Sequence, residues 1–272
     1  MKLVVYSLFS FLVLVSFFSC SAGRRAVSRR PLVIAHRGGV SLGPENSLSA
    51  IERSILLGVD AVEVDVRLSA DGFVVLMHDR TVNRTTNGKG RVGNLSLEQL
   101  KGLSLLDAGG GVTGEAVPTL AEVLELVGGR CRVLVDVKGC NGRAIERAVA
   151  DVVARYNACG WVAVQSFSDE VLGRFASLGV EFPLEKLFVF KLPFIPYIFD
   201  GGLRRLSFEK YCHVSSFNVH KGFVNSGLVE RFHKAGRDVK VWTLRDGDSL
   251  GAAGVDGVIT DCPGEWLTLP GD

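Results

Sequence analysis

The chain has 272 residues, of which 47% are hydrophobic and 22% are charged. This length and hydrophobic content suffice for a sizeable core and exclude a mainly disordered chain. The 31 basic residues nearly cancel the 29 acidic ones, giving a formal net charge of +2, and this balance argues against nucleic-acid binding as the main function.

The excess of positive charge lies in the first 30 residues. They contain five basic residues and no acidic one, so residues 31–272 hold 26 basic and 29 acidic residues and have a formal charge of −3. The 16 residues Leu3–Phe18 are apolar apart from three serines, and this run is shorter than the roughly 20 residues that span a bilayer comfortably. We therefore interpret residues 1–30 as a targeting segment with a basic spacer, and residues 31–272 as the folded body.

Two arrangements of the targeting segment are consistent with its pattern, and both predict membrane association. Lys2 precedes the apolar run, and Cys20 follows it where the lipidated cysteine of a bacterial lipoprotein would stand. This favours an exported lipoprotein on the periplasmic or cell-surface side of a membrane. Alternatively, the four arginines within residues 24–30 would keep the following chain in the cytoplasm and make residues 3–18 a signal-anchor in a eukaryotic membrane.

The six cysteines form no recognisable metal or redox motif. No two are arranged as CxxC or at the spacing of a zinc site, and without Cys20 an odd number is left for disulfide pairing. We expect most of them to be small buried hydrophobic side chains. They are Cys20, Cys131, Cys140, Cys159, Cys212 and Cys262.

From residue 31 onward, short apolar and β-branched runs alternate with amphipathic stretches. The runs predict strands at Leu32–Ala35, Ala61–Val66, Phe73–Met77, Val133–Val137, Trp161–Gln165, Lys186–Phe190, Val214–Phe217, Val239–Thr243 and Gly257–Ile259. The amphipathic stretches predict helices at Ser47–Leu57, Thr119–Val127, Arg143–Tyr156, Asp169–Leu178 and Val224–Ala235. The turn Ser69–Gly72 predicts a hairpin between the second and third strands, whereas the remaining alternation is typical of a parallel sheet covered on both faces. About eight such strands in about 240 residues favour a single TIM-like (β/α)8 barrel.

The stretch Gly109–Gly114 matches the GxGxxG pattern of dinucleotide-binding loops letter for letter. No clear strand leads into it, and Pro118 interrupts the residues that should open the following helix. Because the pattern carries meaning only between a strand and a helix, we interpret this stretch as a flexible loop.

Polar side chains gather at the C-terminal ends of the predicted strands, where barrel enzymes assemble their active sites. In two of these clusters the charged residues stand at positions i and i+2, so that they share one face of a strand. The four clusters are His36-Arg37-Gly38-Gly39, Glu63-Val64-Asp65, His78-Asp79 and Asp136-Val137-Lys138.

The carboxylates of Glu63 and Asp65 are the most informative of these groups. Their strand is otherwise apolar, so both should be buried, and two close buried carboxylates repel unless a cation or a proton intervenes. A hard divalent ion with oxygen ligands would remove the repulsion, and Asp136 can supply a third carboxylate. The alternative is neutralisation by Arg67 or Lys138 without any metal.

The same clusters are part of a longer series of motifs, which runs in order over residues 31–265. Its further members are Pro44-Glu45-Asn46-Ser47, Asp71-Gly72, Thr81-x-x-Arg84-Thr85-Thr86-x-Gly88, Val117-Pro118-Thr119-Leu120, Gln165-Ser166-Phe167, Val241-Trp242-Thr243 and Asp256-Gly257-Val258-Ile259-Thr260-Asp261-x-Pro263. In content and spacing this series resembles the glycerophosphodiester phosphodiesterase family. Members of that family are (β/α)8 barrels, which agrees with the strand count.

The resemblance implies an acid–base pair and a surface that receives the phosphate. His36 and His78 match the acid–base pair, and an unperturbed histidine pKa of about 6.5 suits both roles, so which of them is the acid stays open. Arg37 and Lys138 match cations that face the phosphate, and Trp242 matches a residue of the pocket wall.

The resemblance also implies one divalent metal ion, Ca²⁺ or Mg²⁺. Glu63 and Asp65 match two of its ligands. Asp136 matches a third at a position where these phosphodiesterases commonly have Glu and the related sphingomyelinase D enzymes have Asp. Glu45 lies in a family motif, but its partner is left open between the metal, the substrate and the loop backbone.

The implied reaction is metal-dependent hydrolysis of glycerophosphodiesters, such as glycerophosphocholine or glycerophosphoethanolamine, to glycerol 3-phosphate and an alcohol. The substrate is then a small molecule, and no feature predicts a nucleic-acid or protein partner. Asp136 and the apolar segment Phe188–Phe199 favour one alternative, phospholipase D-like cleavage of lysophospholipid or sphingolipid. A second alternative is a non-catalytic surface binding lipoprotein, which would be expected to lack one of the histidines or carboxylates.

Overall fold

The structure is a computed structural model that describes residues 30–139, 145–188, 206–252 and 254–268. Eight parallel strands in this part of the chain pair in succession, and the first pairs with both the last and the second, which closes a barrel. The predicted TIM-like barrel is thus confirmed as an eight-stranded, closed parallel barrel. All strands are numbered in chain order, and β3 to β5 belong to an excursion outside the barrel. The barrel strands are β1 (Leu32–Ala35), β2 (Ala61–Leu68), β6 (Arg132–Val137), β7 (Val162–Ser166), β8 (Leu184–Phe188), β9 (Ser216–His220), β10 (Asp238–Leu244) and β11 (Gly257–Thr260).

Helices cover the outside of the barrel. They are α1 (Leu48–Leu57), α3 (Leu120–Val127), α4 (Ile145–Arg155), α5 (Asp169–Ser177), α6 (Ser226–Lys234) and α7 (Pro263–Leu267). Ser47 and Thr119, which the sequence places inside two helices, are the N-caps of α1 and α3, and each side chain accepts a backbone N–H bond from the first turn. Such a bond satisfies an amide that has no partner within the helix.

An excursion between β2 and α3 adds a small second core to the barrel. It contains β3 (Val74–Leu76), α2 (Leu97–Lys101), β4 (Ser104–Leu106) and β5 (Val112–Ala116). The pairing of β3 with β2 is antiparallel, as the predicted hairpin requires. The second core supports the chain that follows β3, and it is formed by Val75, Met77, Val82, Val92, Leu100, Leu105 and Val117.

The interpretation of Gly109–Gly114 as a flexible loop was wrong for its second half. Val112 opens β5, which pairs antiparallel with β4, and only the residues before it form a turn. Asp107 closes that turn, because its side chain accepts the backbone N–H groups of Gly109 and Gly111. Gly110 has a φ of 82° there, which favours glycine.

Alternate residues of the barrel strands face two different surroundings. On β2, Val62 and Val64 belong to the large core between sheet and helices, where burying one valine contributes about 1.5–3 kcal/mol. Ala61 points the opposite way, into a small apolar cluster of the barrel interior. Glu63 and Asp65 share the face of Ala61, so the pleat places both carboxylates inside the barrel. The interior cluster consists of Ile34, Ala61, Leu134 and Ile259.

Some sequence-based predictions concern residues outside the described ranges. Residues 1–29 and 189–205 are not described, so the targeting segment with Cys20 stays a prediction, as does a role for the apolar residues 189–199. Phe188, the first residue of that apolar run, is buried and ends β8. Within the described ranges, no helix has the length and apolar character needed to cross a membrane.

The prediction of buried cysteines was wrong for the described ones. Cys131, Cys159 and Cys262 are half-buried, Cys212 is exposed, and all four are free thiols. Each lies in a connection next to a strand or helix rather than within a strand, and such connections run over the protein surface.

Candidate active site

The turn after β1 carries the first histidine and the first arginine of the site. Arg37 adopts a left-handed backbone conformation with a φ of 49°, which is uncommon outside glycine. Its backbone N–H donates to Oε2 of Glu63 at 2.8 Å, and this bond ties the turn to β2. Gly38 packs so closely on α1 that a Cβ would lie 2.8 Å from the side chain of Ile51, which explains the glycine after His36-Arg37.

The three predicted metal ligands come together inside the barrel. Glu63, Asp65 and Asp136 are each less than 5% exposed, and one oxygen from each lies within 4.8 Å of the other two. The parallel register of β2 and β6 places Asp65 directly beside Asp136. Asn46 holds Asp65 from the other side, because its side chain donates to Oδ2 of Asp65 at 2.9 Å and accepts the Asp65 backbone N–H at 3.0 Å.

Lys138 pairs with two of these carboxylates. Its Nζ lies 2.8 Å from Oδ1 of Asp65 and 2.5 Å from Oδ2 of Asp136. Burial alone would lower the pKa of Lys138, but the two carboxylates raise it above the usual value, so its ammonium group stays charged. The other proposed neutralising residue, Arg67, donates to the backbone carbonyls of His78 and Gly139.

The three carboxylates outnumber the single positive charge of Lys138. Burial, reinforced by the charge of Asp65, raises the pKa of Glu63 to about 8, so Glu63 holds a proton at neutral pH when no further cation is bound. Burial favours protonation of Asp65 as well, but Lys138 holds the pKa of Asp65 below its usual value. Oδ1 of Asp136 is buried and accepts no hydrogen bond within the described residues. A carboxylate oxygen without a donor and a carboxylate that needs a proton both fit a hard cation with oxygen ligands.

Each predicted catalytic histidine is oriented by an aspartate. Nδ1 of His36 lies 2.6 Å from Oδ1 of Asp261, which follows β11, and Nδ1 of His78 lies 2.8 Å from Oδ1 of Asp79. Such a bond fixes the tautomer and leaves Nε2 as the ring nitrogen that can meet a substrate. Asp261 and Asp79 were not among the predicted site residues.

The two histidines are shifted in opposite directions. Burial lowers the pKa of His36, but the hydrogen bond to Asp261, together with the surrounding carboxylates, outweighs it, so that the pKa lies above its usual value. Burial is also the largest effect on the pKa of His78, and because Lys138 and Arg37 act in the same direction, the opposing charge of Asp65 does not prevent the pKa from lying below its usual value. Between the two pKa values His36 is protonated and His78 is neutral.

Among the described residues, Glu45 forms no hydrogen bond with the three clustered carboxylates or with the loop backbone. Instead its carboxylate accepts from Nη1 of Arg37 at 3.0 and 3.2 Å and from Arg84 at 2.7 and 2.8 Å. Arg37 in turn lies 3.5 Å from Asp65, measured from Nε to Oδ2. Glu45 therefore orients an arginine at the edge of the carboxylate cluster.

Trp242 lies in an aromatic wall beside Lys138. Its ring centroid is 5.5 Å from that of Phe167 and 5.2 Å from that of His220, both in edge-to-face contact, and its Nε1–H donates to the Asn218 carbonyl at 2.9 Å. Nζ of Lys138 lies 6.0 Å from the Phe167 centroid. The wall thus adjoins the charged cluster, and the predicted role of Trp242 in a substrate pocket stays a prediction.

A buried polar network supports Glu63 from within the barrel. Gln165 donates to Oε1 of Glu63 at 3.4 Å, and Asn218 donates to Gln165 at 2.7 Å and to Glu185 at 2.8 Å. Glu185 forms a buried ion pair with Lys240, so the charges inside this part of the barrel are matched. Gln165 belongs to one of the sequence motifs, whereas Asn218, Glu185 and Lys240 were not among the predicted site residues.

The comparisons with known proteins agree with this geometry. The model of the glycerophosphoryl diester phosphodiesterase family matches residues 36–265. The chain belongs to this family. Its members are phosphoric diester hydrolases, and the resemblance found in the sequence motifs is confirmed.

Relatives extend the match over most of the chain. A glycerophosphodiester phosphodiesterase of Caldanaerobacter subterraneus is 33% identical over 254 residues, which covers 88% of this chain and 98% of the relative. Among solved structures, a glycerophosphodiester phosphodiesterase of Agrobacterium tumefaciens is 27% identical with a TM-score of 0.70, covering 88% of this chain and 100% of that one. A phosphodiesterase of Oleispira antarctica, solved with its product sn-glycerol 3-phosphate, is 28% identical with a TM-score of 0.74, covering 88% and 96%.

Proposed function

We propose that this family member hydrolyses glycerophosphodiesters to sn-glycerol 3-phosphate and an alcohol, with one divalent metal ion and two histidines. The proposal rests mainly on the cluster of three buried carboxylates. His36 and His78 lie at the edge of this cluster, and each is held by an aspartate. The product bound to the Oleispira antarctica relative supports sn-glycerol 3-phosphate as the product here.

The metal would be held by Glu63, Asp65 and Asp136, which together offer only oxygen ligands, as Ca²⁺ and Mg²⁺ prefer. When bound, such an ion would stabilise the negative charge that develops on the phosphoryl oxygens. Arg37 and Lys138 stand next to these carboxylates and would add fixed positive charge on the same side. The body of the chain carries a net negative charge, so the substrate anion is attracted by these few cations and not by the protein as a whole.

We assign the base to His78 and the acid to His36. A base must be neutral and an acid must be protonated at the working pH, and the opposite shifts of the two pKa values produce that combination. His78 would take the proton of the nucleophile through Nε2, and His36 would donate one to the leaving alcohol.

Replacement of Asp261 by Asn tests this assignment. The carboxylate raises the pKa of His36, so its loss lowers that pKa, and His36 gives up its proton at a lower pH. We expect the alkaline limb of the kcat/KM profile to move to lower pH in Asp261→Asn, while the acidic limb, set by His78, stays in place. An alkaline limb that stays in place would show that His36 does not set it, and the assignment of the acid to His36 would then be wrong.

The position at which the N-terminal segment joins the barrel supports a deacylated substrate. Arg30 is fixed by ion-pair contacts of 2.6 and 3.2 Å to Asp60, which immediately precedes β2, whereas the site lies toward the C-terminal ends of β1 and β6. A segment anchored in a membrane would therefore enter the barrel at the end opposite the active site. This arrangement suits water-soluble glycerophosphodiesters better than lipids that remain in the bilayer.

A substrate panel separates the proposed function from its two alternatives. We expect turnover of glycerophosphocholine and glycerophosphoethanolamine, with release of glycerol 3-phosphate, and little turnover of lysophosphatidylcholine or sphingomyelin. Cleavage of the acylated substrates alone would instead support the phospholipase D-like activity. Binding of these compounds without turnover of any would support a binding lipoprotein.

A further inference from the structure

Arg84 links two parts of the site that lie on different loops, one just before α1 and the other just after β3. Its side chain lies between the carboxylates of Glu45 and Asp79. Nη1 and Nη2 donate to Glu45 at 2.7 and 2.8 Å, and Nε and Nη2 donate to Asp79 at 2.8 and 3.2 Å. Beyond these two carboxylates lie the residues proposed to act on the substrate, because Asp79 binds the ring of His78 and Glu45 binds Arg37.

The guanidinium group of Arg84 is committed to these carboxylates. Four of its five N–H groups are used in two bidentate pairs, an arrangement that the planar fork of arginine favours and lysine does not reproduce. The bond from Arg84 lowers the pKa of Asp79 to about 2, so Asp79 stays ionised and remains an acceptor for His78. A guanidinium bound in this way has little capacity left to bind the substrate phosphate itself.

The loop that carries Arg84 is held firmly by the second core. Val82 before it and Thr86 after it are fully or almost fully buried, and the backbone N–H of Thr86 donates to the Val82 carbonyl at 3.0 Å. Gly88 lies against Leu103 so closely that a Cβ would be 2.5 Å from its Cδ2 atom. The motif around Arg84 thus builds a fixed support, and Arg84 reaches from it to the barrel mouth with about half of its side chain exposed.

We propose that Arg84 is a positioning residue that sets the catalytic geometry from both sides, holding His78 through Asp79 and Arg37 through Glu45. This inference rests on the proposed function in two respects, namely the catalytic role of His78 and the binding of the substrate phosphate by Arg37. The four hydrogen bonds from Arg84 to Asp79 and Glu45 form a clamp. A misplacement of about 1 Å can cost on the order of 10²-fold in rate, so removal of this clamp is expected to be costly even if Arg84 acts only through its two partners.

The two halves of the clamp should affect different kinetic constants. Asp79→Asn frees the ring of His78 and is expected to lower kcat, because His78 acts on the reacting proton. Glu45→Gln releases Arg37 and is expected mainly to raise KM, because Arg37 faces the phosphate of the bound substrate. Arg84→Gln should do both, with kcat/KM falling by roughly 10–100-fold. Arg84→Lys keeps the charge but cannot bind both carboxylates in bidentate fashion, so it should recover only part of the loss.

Double variants provide the test, with glycerophosphocholine as substrate and the full chain as the enzyme. If Arg84 acts through the two carboxylates, adding Arg84→Gln to Asp79→Asn lowers kcat no further, and adding it to Glu45→Gln raises KM no further. The matched control is Arg91→Gln, an exposed arginine of the same excursion, which should leave both constants and the melting temperature unchanged. A general loss of fold would instead reduce the melting temperature of Arg84→Gln and produce no such split between kcat and KM.

Two outcomes would overturn the inference. One is an Arg84→Gln enzyme with the kinetics of Arg91→Gln, and the other is full additivity of Arg84→Gln with both Asp79→Asn and Glu45→Gln. His78→Ala is measured in parallel to separate the two proposals. An active His78→Ala enzyme would refute the proposed acid–base pair, whereas an inactive one beside an unimpaired Arg84→Gln enzyme would refute only the role of Arg84.

Discussion

Alanine at His36 or at His78 is expected to reduce kcat/KM by about 10²–10⁴-fold, the range typical for loss of a general acid or base. Each ring is held through Nδ1 by an aspartate, and in the proposed mechanism its Nε2 would carry out the proton transfer. Neither histidine belongs to the apolar clusters of the protein. The melting temperature should therefore stay close to that of the wild type, and steady-state kinetics together with thermal unfolding measure both effects.

His233→Ala is the matched control for these two variants. His233 also binds an aspartate, with Nε2 2.7 Å from Oδ2 of Asp256, but it lies on α6 outside the barrel. Its loss should leave kcat/KM nearly unchanged. Near-normal activity of either His36→Ala or His78→Ala, measured beside this control, would show that the acid–base pair is assigned incorrectly.

Removal of divalent metal ions by a chelator is expected to abolish turnover, and addition of Ca²⁺ or Mg²⁺ is expected to restore it. The ion that restores activity at the lower concentration identifies the preferred metal. Binding should also stabilise the fold, by about 2.7 kcal/mol at a metal concentration 100 times the Kd. Asp65→Asn and Asp136→Asn should lose both the activity and the metal-dependent rise in melting temperature, because each removes one of three converging charges.

Metal binding should also release a proton at neutral pH. The pKa of Glu63 is raised to about 8, so below that pH the ion must displace a proton, and its affinity should increase as the pH rises toward 8. Calorimetry in buffers of different ionisation enthalpy measures this proton release. Asp151→Asn, which changes an exposed carboxylate on α4, serves as the control and should behave like the wild type.

Full activity after chelation, with no metal-dependent stabilisation, would instead support neutralisation of the carboxylates by Lys138 alone.

Most barrel strands were predictable from hydropathy, and β1 was predicted residue for residue. Strand β9 shows where this fails. Its predicted range Val214–Phe217 is shifted from the observed Ser216–His220, because the inward residues Ser216 and Asn218 are polar. Inside this barrel they take part in a buried network with Gln165 and Glu185, so the usual association of burial with apolar character does not hold there.

The pairing of β4 with β5 also depends on tertiary structure. The glycine-rich residues before β5 have little strand propensity, and the hairpin forms because Asp107 closes its turn and the second core supports one side of it. In the same way, the sequence places Ser47 and Thr119 near helix starts but does not reveal that each lies just outside the helix as its cap.

The sequence by itself determined the barrel, the family and the residue types of the site. Spacing of two residues along a buried strand was sufficient to predict that Glu63 and Asp65 share a face. Only the tertiary structure decided what orients the site. Asp261 meets His36 across 225 positions of the chain, and Arg84 meets Glu45 across 39. Hydrogen bonds between side chains on separate loops leave no periodic pattern in a sequence, since they depend on the closure of the barrel that brings those loops to one mouth.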